Sequence, residues 1–506
     1  MIESHYSNLF LQNVKKHPNK NAQICVGRPY SYAELKSLFD EFAKQFISAG
    51  WAGRRVAIYA ASDPASVTAA LAALHSGCTL VTIHHSYPLE NLRQKLNRTD
   101  CTLLLADRSI EGVDLCLDGF CRLPGIDGDA QQIKLTTDEV GNAAHRVPNT
   151  ACIFFTSGST NEPKGVCVSD GNMVAAFEAV TQYMGNTERD VVLHYTALGL
   201  DYGFHNSMFS LLFGGTNVVG GVAPTDPNDI LATIERHQVT GLQALPLQLF
   251  CLSQTTEFRS FDTRSLRYIS STGQALPINH IRNIRQNLPE TSLFSMYGMT
   301  ECKRILFLPP DQIDERPLSV GKPIPGVTTV LVHRTGPDIT RAAKDEVAEL
   351  AVVSEQVMQR YWQDETATEQ VIRRNGLGHD KLFLTGDLFR QDAEGYLYHV
   401  SRVDDHFPRN TFMVNPREVE AAISHLPDVL ECRVGPIPNE REGNVPCAYI
   451  VPHKNAEWTR LEEEVLAHCR HALDPHMVPS RVMMTDSLPR SVSGKLKTPE
   501  IEGVSS

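Results

Sequence analysis

The stretch Ala151-Cys152-Ile153-Phe154-Phe155-Thr156-Ser157-Gly158-Ser159-Thr160-Asn161-Glu162-Pro163-Lys164-Gly165 joins a short apolar, partly aromatic run to a loop of hydroxyls and glycine that ends in a lysine. Its first five residues suit a buried strand that delivers the loop to a sheet edge. The loop offers three kinds of group that suit a polyphosphate: the hydroxyls of Thr156, Ser157, Ser159 and Thr160, backbone N–H groups exposed at Gly158, and the Lys164 ammonium. The pattern G-x-x-x-x-G-K-[ST] cannot be laid on it, so it is not a Walker A loop. Taken alone, the same residues also describe a Ser/Thr/Gly turn with a surface lysine. The remainder of the chain decides between the two.

On both sides of this loop, helical and strand-like patterns alternate. Upstream, helices are expected at 32–50, 64–76 and 89–98, with strands at 55–59, 79–82 and 102–105. Downstream, helices at 172–183, 205–212, 228–237 and 277–287 alternate with strands at 191–195, 216–219, 241–245 and 292–296. Such alternation predicts an α/β fold of open, largely parallel sheets covered by helices. Between 319 and 398 the pattern shifts to short β segments such as 328–332 and 348–353, a small β subdomain. After Arg402-Val403-Asp404-Asp405 come a helix at 417–426, strands at 429–434 and 446–451, and a helix at 459–473, an α+β unit of ordinary domain size. The boundary is placed at the paired aspartates, giving an N-terminal domain 1–403 and a C-terminal domain 404–506.

A chain of 506 residues exceeds what one core usually holds, which agrees with this division. The net charge of −12 argues against a general nucleic-acid binder, whereas a small anionic substrate such as ATP needs only a few placed cations. No apolar run reaches the length of a membrane span, and the start Met1-Ile2-Glu3-Ser4-His5 lacks the features of a secretion signal. The twelve cysteines are scattered, and the closest pair, Cys116 and Cys121, has no partners at zinc spacing, so reduced thiols and a cytoplasmic location are expected. His84 and His85 likewise lack partners at metal spacing.

Four further stretches carry chemistry. Ser295-Met296-Tyr297-Gly298-Met299-Thr300-Glu301 brings together an aromatic face, a glycine, a hydroxyl and a carboxylate, enough to stack a base and hold a hard cation. Leu384-Thr385-Gly386-Asp387 sets a carboxylate in a turn, where it can accept from ribose hydroxyls. Ser401-Arg402-Val403-Asp404-Asp405 supplies a guanidinium at the domain junction, and Leu488-Pro489-Arg490-Ser491-Val492-Ser493-Gly494-Lys495 sets a lysine on a late turn.

In this order the five motifs resemble those of the adenylate-forming superfamily: acyl-CoA ligases, luciferase and the adenylation domains of nonribosomal peptide synthesis. The resemblance runs over essentially the whole chain and implies a large N-terminal domain, a small mobile C-terminal domain and a site between them. It assigns Thr156, Ser157, Gly158, Ser159, Thr160 and Lys164 to the ATP phosphates, Gly273, Gln274 and Ala275 to an adenine shelf, and Tyr297 to stacking on the base. Thr300 would meet the α-phosphate, Glu301 would hold Mg2+, Asp387 the ribose hydroxyls, and Arg402 the ribose or phosphate. Lys495 would bridge the substrate carboxylate and the nucleotide, and Asp404 would be the hinge. Lys495, Thr300 and Lys164 are thus the expected catalytic residues.

The chain departs from the family pattern at several points. Asn161 stands where glycine is usual; after the hinge, Ser401, Pro408, Thr411 and Met413 replace a glycine, a lysine, a glycine and a basic residue, in a loop that approaches the thiol acceptor. Adenylation is expected intact and the acceptor tunnel altered. The acid pocket falls to Asp201, Tyr202, His205, Met296 and Arg304. Asp201 lies where amino-acid adenylation domains pair with a substrate ammonium, and an apolar-flanked aspartate is costly unless it meets a cation. Some acyl ligases also carry aspartate near this point, and a helix N-cap is the alternative; Arg304 would suit a second acidic group. With eleven residues after Lys495, the thiol is expected from a separate acyl or peptidyl carrier protein, or from coenzyme A. The acid is a carboxylic acid, an amino acid included.

Overall fold

Strand Cys152–Phe155 runs parallel to Thr79–Thr82 and antiparallel to Gly165–Val168, so the hydroxyl loop is a hairpin connection. A computed structural model describes residues 4–101, 103–107, 119–123, 149–156, 163–220, 226–253, 255, 257–273, 276–336, 338–403, 405–410, 412–439, 441–453, 456–490 and 496–499. The hairpin lies in a seven-stranded sheet ordered 360–361, 165–168, 152–155, 79–82, 55–59, 103–106, 119–122. The strand therefore sits inside the sheet and not at its edge, which the apolar run explains: Cys152, Ile153 and Phe154 are fully buried, as suits a strand covered on both faces. Helix Pro64–His75 is mostly apolar and buried from Pro64 to Leu74, the mark of a helix with protein on every side.

A nine-stranded sheet follows, ordered 322–323, 303–308, 292–299, 268–271, 241–244, 191–194, 216–219, 21–25, 28–31. In its parallel part Leu193, Leu242, Ile269 and Leu293 fall in register on one face and pack with Ile230, Ile234, Ile281 and Ile284 of helices Pro227–His237 and Ile278–Asn287. The alternate residues Phe294 and Met296 join Phe204 and Met208 of helix Asp201–Leu212 in the core shared with the first sheet. That helix is buried from Gly203 to Leu212, and a Cβ on Gly203 would lie 1.9 Å from the Ala197 carbonyl oxygen, so only glycine permits the turn into it.

The third sheet contains the expected β subdomain, with strands Val327–Thr335, Asp338–Arg341, Ala348–Ser354, Ile372–Gly376, His379–Gln391 and Leu397–Arg402. A fourth, five-stranded sheet begins at Phe407 and takes only later strands, with Val414, Val419, Ile423, Val434, Ile450, Leu461, Val465 and Cys469 forming its own core. Helices Pro416–Ile423 and Trp458–Ala472 cover it, close to the expected spans.

Several elements lie outside the expected pattern. Helix His5–Lys16 and strands Asn21–Cys25 and Arg28–Ser31 precede it, and Asn21–Cys25 gains its place by pairing in parallel with Thr216–Val219, far away in sequence. Strand Lys303–Leu308 carries two cations at its start, which hides its buried character. No described helix is long and apolar enough to cross a membrane.

Candidate active site

The hairpin holds the first piece of the site. The Thr156 N–H donates to the Lys164 carbonyl at 3.0 Å, and the Lys164 N–H to Thr156 Oγ1 at 3.4 Å. Ser157, Gly158, Ser159 and Thr160 lie outside the described residues. Strand Arg360–Tyr361 pairs with Gly165–Val168, which sets the Tyr361 ring 5.0 Å from the Lys164 ammonium. The Tyr361 hydroxyl in turn donates to Glu301 Oε1 at 2.8 Å. Burial, then the Glu301 charge, hold this phenol well above its usual range, so it remains a donor.

Glu301 follows the Tyr297–Thr300 run at the end of strand Ser292–Met299. The antiparallel partner Lys303–Leu308 returns so closely that a Cβ on Gly298 would sit 2.0 Å from the Lys303 carbonyl oxygen. Glycine at 298 is what permits the hairpin. Glu301 is 8% exposed, and among the described residues its side chain takes only the Tyr361 bond. Its remaining oxygen fits a hard divalent cation, which would complete its shell with phosphate and water oxygens. Among the described residues no group of three or more His, Cys, Asp or Glu is placed to hold a metal ion.

The second piece comes from the β subdomain. Asp387 and Arg402 are register partners on strands His379–Gln391 and Leu397–Arg402, with Arg402 Nε 3.3 Å from Asp387 Oδ1. The expected turn is instead an irregularity inside the strand: the register with Ala348–Ser354 shifts between Leu384 and Leu388, Gly386 takes φ 72° there, and its N–H donates to Glu349 Oε1 at 2.9 Å. The Tyr297 hydroxyl reaches across from the nine-stranded sheet and donates to Asp387 Oδ2 at 2.5 Å. Burial, and next the Asp387 charge, raise the Tyr297 phenol well above its usual value. Phe389 and His399 pack on the Tyr297 ring at centroid distances of 5.0 and 6.3 Å. Gly273 lies at φ 99°, in the region glycine adopts freely; Gln274 and Ala275 lie outside the described residues.

Asp201 opens helix Asp201–Leu212, whose N-cap is Leu200 with no side-chain cap. It is therefore not the capping residue. Its carboxylate meets the Lys303 ammonium at 2.9 Å and lies 3.4 Å from His205 Nε2. Burial opposes its ionisation, yet Lys303 and His205 outweigh that and hold the carboxyl well below the usual range. The cation that a buried aspartate requires is thus internal. Lys303 takes φ 59°, left-handed for a side-chain-bearing residue, and also donates to the Thr300 carbonyl at 2.9 Å. That conformation costs on the order of 1 kcal/mol. Lys303 escaped the sequence reading; a lysine heading an apolar strand raises the same need for a counter-charge as Asp201 did.

Met296 accepts from the Tyr183 hydroxyl at 2.8 Å, and the Arg304 guanidinium lies 4.5 Å above the Tyr202 ring. His205 is fully enclosed, with Nδ1 3.4 Å from the Tyr6 hydroxyl, and burial lowers its pKa despite Asp201. Asp404 and Lys495 lie outside the described residues; Arg490 and Leu496, which flank the late turn, pair in an isolated bridge.

Residues 10–362 match the AMP-binding enzyme family model, and residues 418–495 match the model of the AMP-binding enzyme C-terminal domain. The chain belongs to the adenylate-forming superfamily. It is 29% identical over 503 residues to 2-succinylbenzoate–CoA ligase of Bacillus velezensis, covering 97% of this chain and 96% of that enzyme. It is 25% identical over 500 residues to a plipastatin synthase component of Bacillus subtilis, covering 96% of this chain but only 19% of that protein. Among solved structures, o-succinylbenzoate CoA synthetase of Bacillus subtilis, in complex with an acyl-adenylate intermediate, superposes with a TM-score of 0.79 at 27% identity over 97% of this chain and 96% of that one. As an AMP-forming ligase of this superfamily, the protein carries the α/β architecture expected from its sequence, with a large N-terminal and a small C-terminal part.

Proposed function

We propose that this adenylate-forming ligase activates a carboxylic acid that need not carry an amino group, and passes it to a phosphopantetheine thiol. The observation that carries the reading is that one short run joins two sets of groups, Tyr297 meeting Asp387 and through it Arg402, and Glu301 meeting Tyr361, whose ring faces Lys164. In this reading a substrate carboxylate oxygen attacks the α-phosphorus of ATP, the acyl–phosphate bond forms, and pyrophosphate leaves with the electron pair. Lys164 and the hydroxyl loop neutralise the leaving group, Asp387 accepts from the ribose, and Lys495 brings the two anions together. Mg2+, held through Glu301, would add positive charge on the phosphates. A thiol then attacks the acyl carbonyl and AMP leaves, the small unit from 404 onward turning about Asp404 between the steps.

The Lys303 pair removes the argument that Asp201 waits for a substrate ammonium. Coenzyme A is one reading of the acceptor, supported by 29% identity over 503 residues to a CoA ligase. A separate carrier protein is the second reading, favoured by Phe412 and Met413, apolar side chains 58% and 54% exposed on the hairpin that follows the hinge. The test is acid-dependent exchange of labelled pyrophosphate into ATP, with Lys495→Ala expected to lose it by at least about 10³-fold. Undiminished exchange by that variant sinks the mechanism. Coenzyme A consumption with release of AMP then separates the two acceptors.

A further inference from the structure

Arg304 stands opposite Gly298 on strand Lys303–Leu308, on the sheet face that Met296 and Phe294 present to helix Asp201–Leu212. It is 7% exposed, and its guanidinium has the Tyr202 ring at 4.5 Å but no carboxylate or hydrogen-bond acceptor among the described residues. The buried charges here do not cancel. Lys303 and Arg304 bring two cations, Asp201 brings one carboxylate, and that carboxylate is 2.9 Å from Lys303. An enclosed guanidinium needs an anion with lone pairs in its plane, and a ring face supplies only part of that attraction.

A second observation points the same way. Gln243 Oε1 is a buried polar atom without a hydrogen-bond partner among the described residues, and the Tyr202 hydroxyl meets the side chains of Ser270 and Asn206. Ser270 and Gln243 are register partners on adjacent strands and share the face on which Arg304 lies, and the Tyr202 hydroxyl is turned toward Ser270. Two hydroxyls that meet keep one O–H free to donate onward, so the Tyr202–Ser270 pair can serve a polar group from outside next to the ring that Arg304 covers.

We propose that the acid this ligase activates carries a second anionic group, a carboxylate at the end remote from the reacting carboxyl, and that Arg304 is the residue that selects it, with Tyr202 and Ser270 contributing hydroxyls. This rests on the adenylation reading above. A monocarboxylic acid of the same skeleton leaves the guanidinium unpaired, and sites built to bond a polar group reject analogues that lack it by large factors.

The experiment is pyrophosphate exchange on matched pairs differing in one terminal carboxylate: butanedioate against butanoate, hexanedioate against hexanoate, and benzene-1,4-dicarboxylate against 4-methylbenzoate. In at least one pair the dicarboxylate is expected to lead by about 10²-fold in kcat/KM. Arg304→Met should collapse that ratio by a similar factor through KM, while Arg304→Lys retains part of it; melting curves verify that each variant is folded. A lead of the monocarboxylate in every pair overturns the inference and leaves adenylation standing, as does an unchanged ratio in folded Arg304→Met. Exchange with no acid of either kind overturns both. Should Arg304→Met not fold, the wild-type ratios and Arg304→Lys still decide.

Discussion

The Tyr297 hydroxyl donates to Asp387 Oδ2 at 2.5 Å, joining the last parallel strand of the nine-stranded sheet to the β subdomain. Tyr297 thereby positions the carboxylate assigned to the ribose as well as offering a ring for the base. Tyr297→Phe keeps the ring and removes the bond. A charge-assisted hydrogen bond contributes about 1.5–3 kcal/mol, so KM for ATP should rise roughly 10-fold or more with a smaller change in kcat. Initial rates against ATP concentration read this, and an unaltered KM would contradict the positioning role.

Glu301 shares one oxygen with Tyr361. Glu301→Gln removes the charge a divalent cation needs and should reduce exchange by about 10²-fold at fixed Mg2+, partly recovered at high Mg2+. Tyr361→Phe leaves the charge in place and should shift only the half-saturating Mg2+ concentration, by a few-fold. A Mg2+ titration of both variants distinguishes a metal-holding Glu301 from a merely packed one.

Breaking the Asp201–Lys303 pair leaves one buried charge uncompensated. Asp201→Asn and Lys303→Met should each destabilise the fold by roughly 3–5 kcal/mol. The double variant should lose less than the sum. Urea denaturation of the four proteins gives the coupling directly, and additive losses would show that the pair is not an interacting unit.

Burial pushes His84, His194 and His280 each down to about 4, against 6.5 in an unfolded chain. Between those values the unfolded chain takes up protons that the folded one refuses, so stability falls as pH drops from 6.5 towards 4. His194, fully buried, accounts alone for roughly 3 kcal/mol below pH 4. The lowered Asp201 acts in the same sense only below the ordinary carboxylate range. Denaturation midpoints at pH 7.5, 6 and 5 should fall in that order, and His194→Gln should flatten the trend.

The sequence was most informative where the determining residues are neighbours. The strands at 55–59, 79–82 and 216–219 and the helix at 89–98 carry their periodicity within a few residues, and the structure reproduces those spans. The hairpin connection after Phe155 and the Tyr297–Glu301 run could be located for the same reason, one short segment holding each set of groups, whereas Thr385-Gly386-Asp387, expected as a turn, lies inside strand His379–Gln391. Strand Asn21–Cys25 could not be located, since nothing local announces a parallel partner at 216–219.

The α/β class, the order of the motifs and the demand that a buried Asp201 meet a cation are all written in the linear chain. Which cation answers that demand is settled by packing. A carboxylate's need for a counter-charge is a property of the group and its surroundings, whereas the identity of the partner depends on which strand packs against which helix. Lys303, at a left-handed φ in the close return opposite Gly298, reaches Asp201 from another part of the chain and leaves Arg304 beside it with a ring but, among the described residues, no anion.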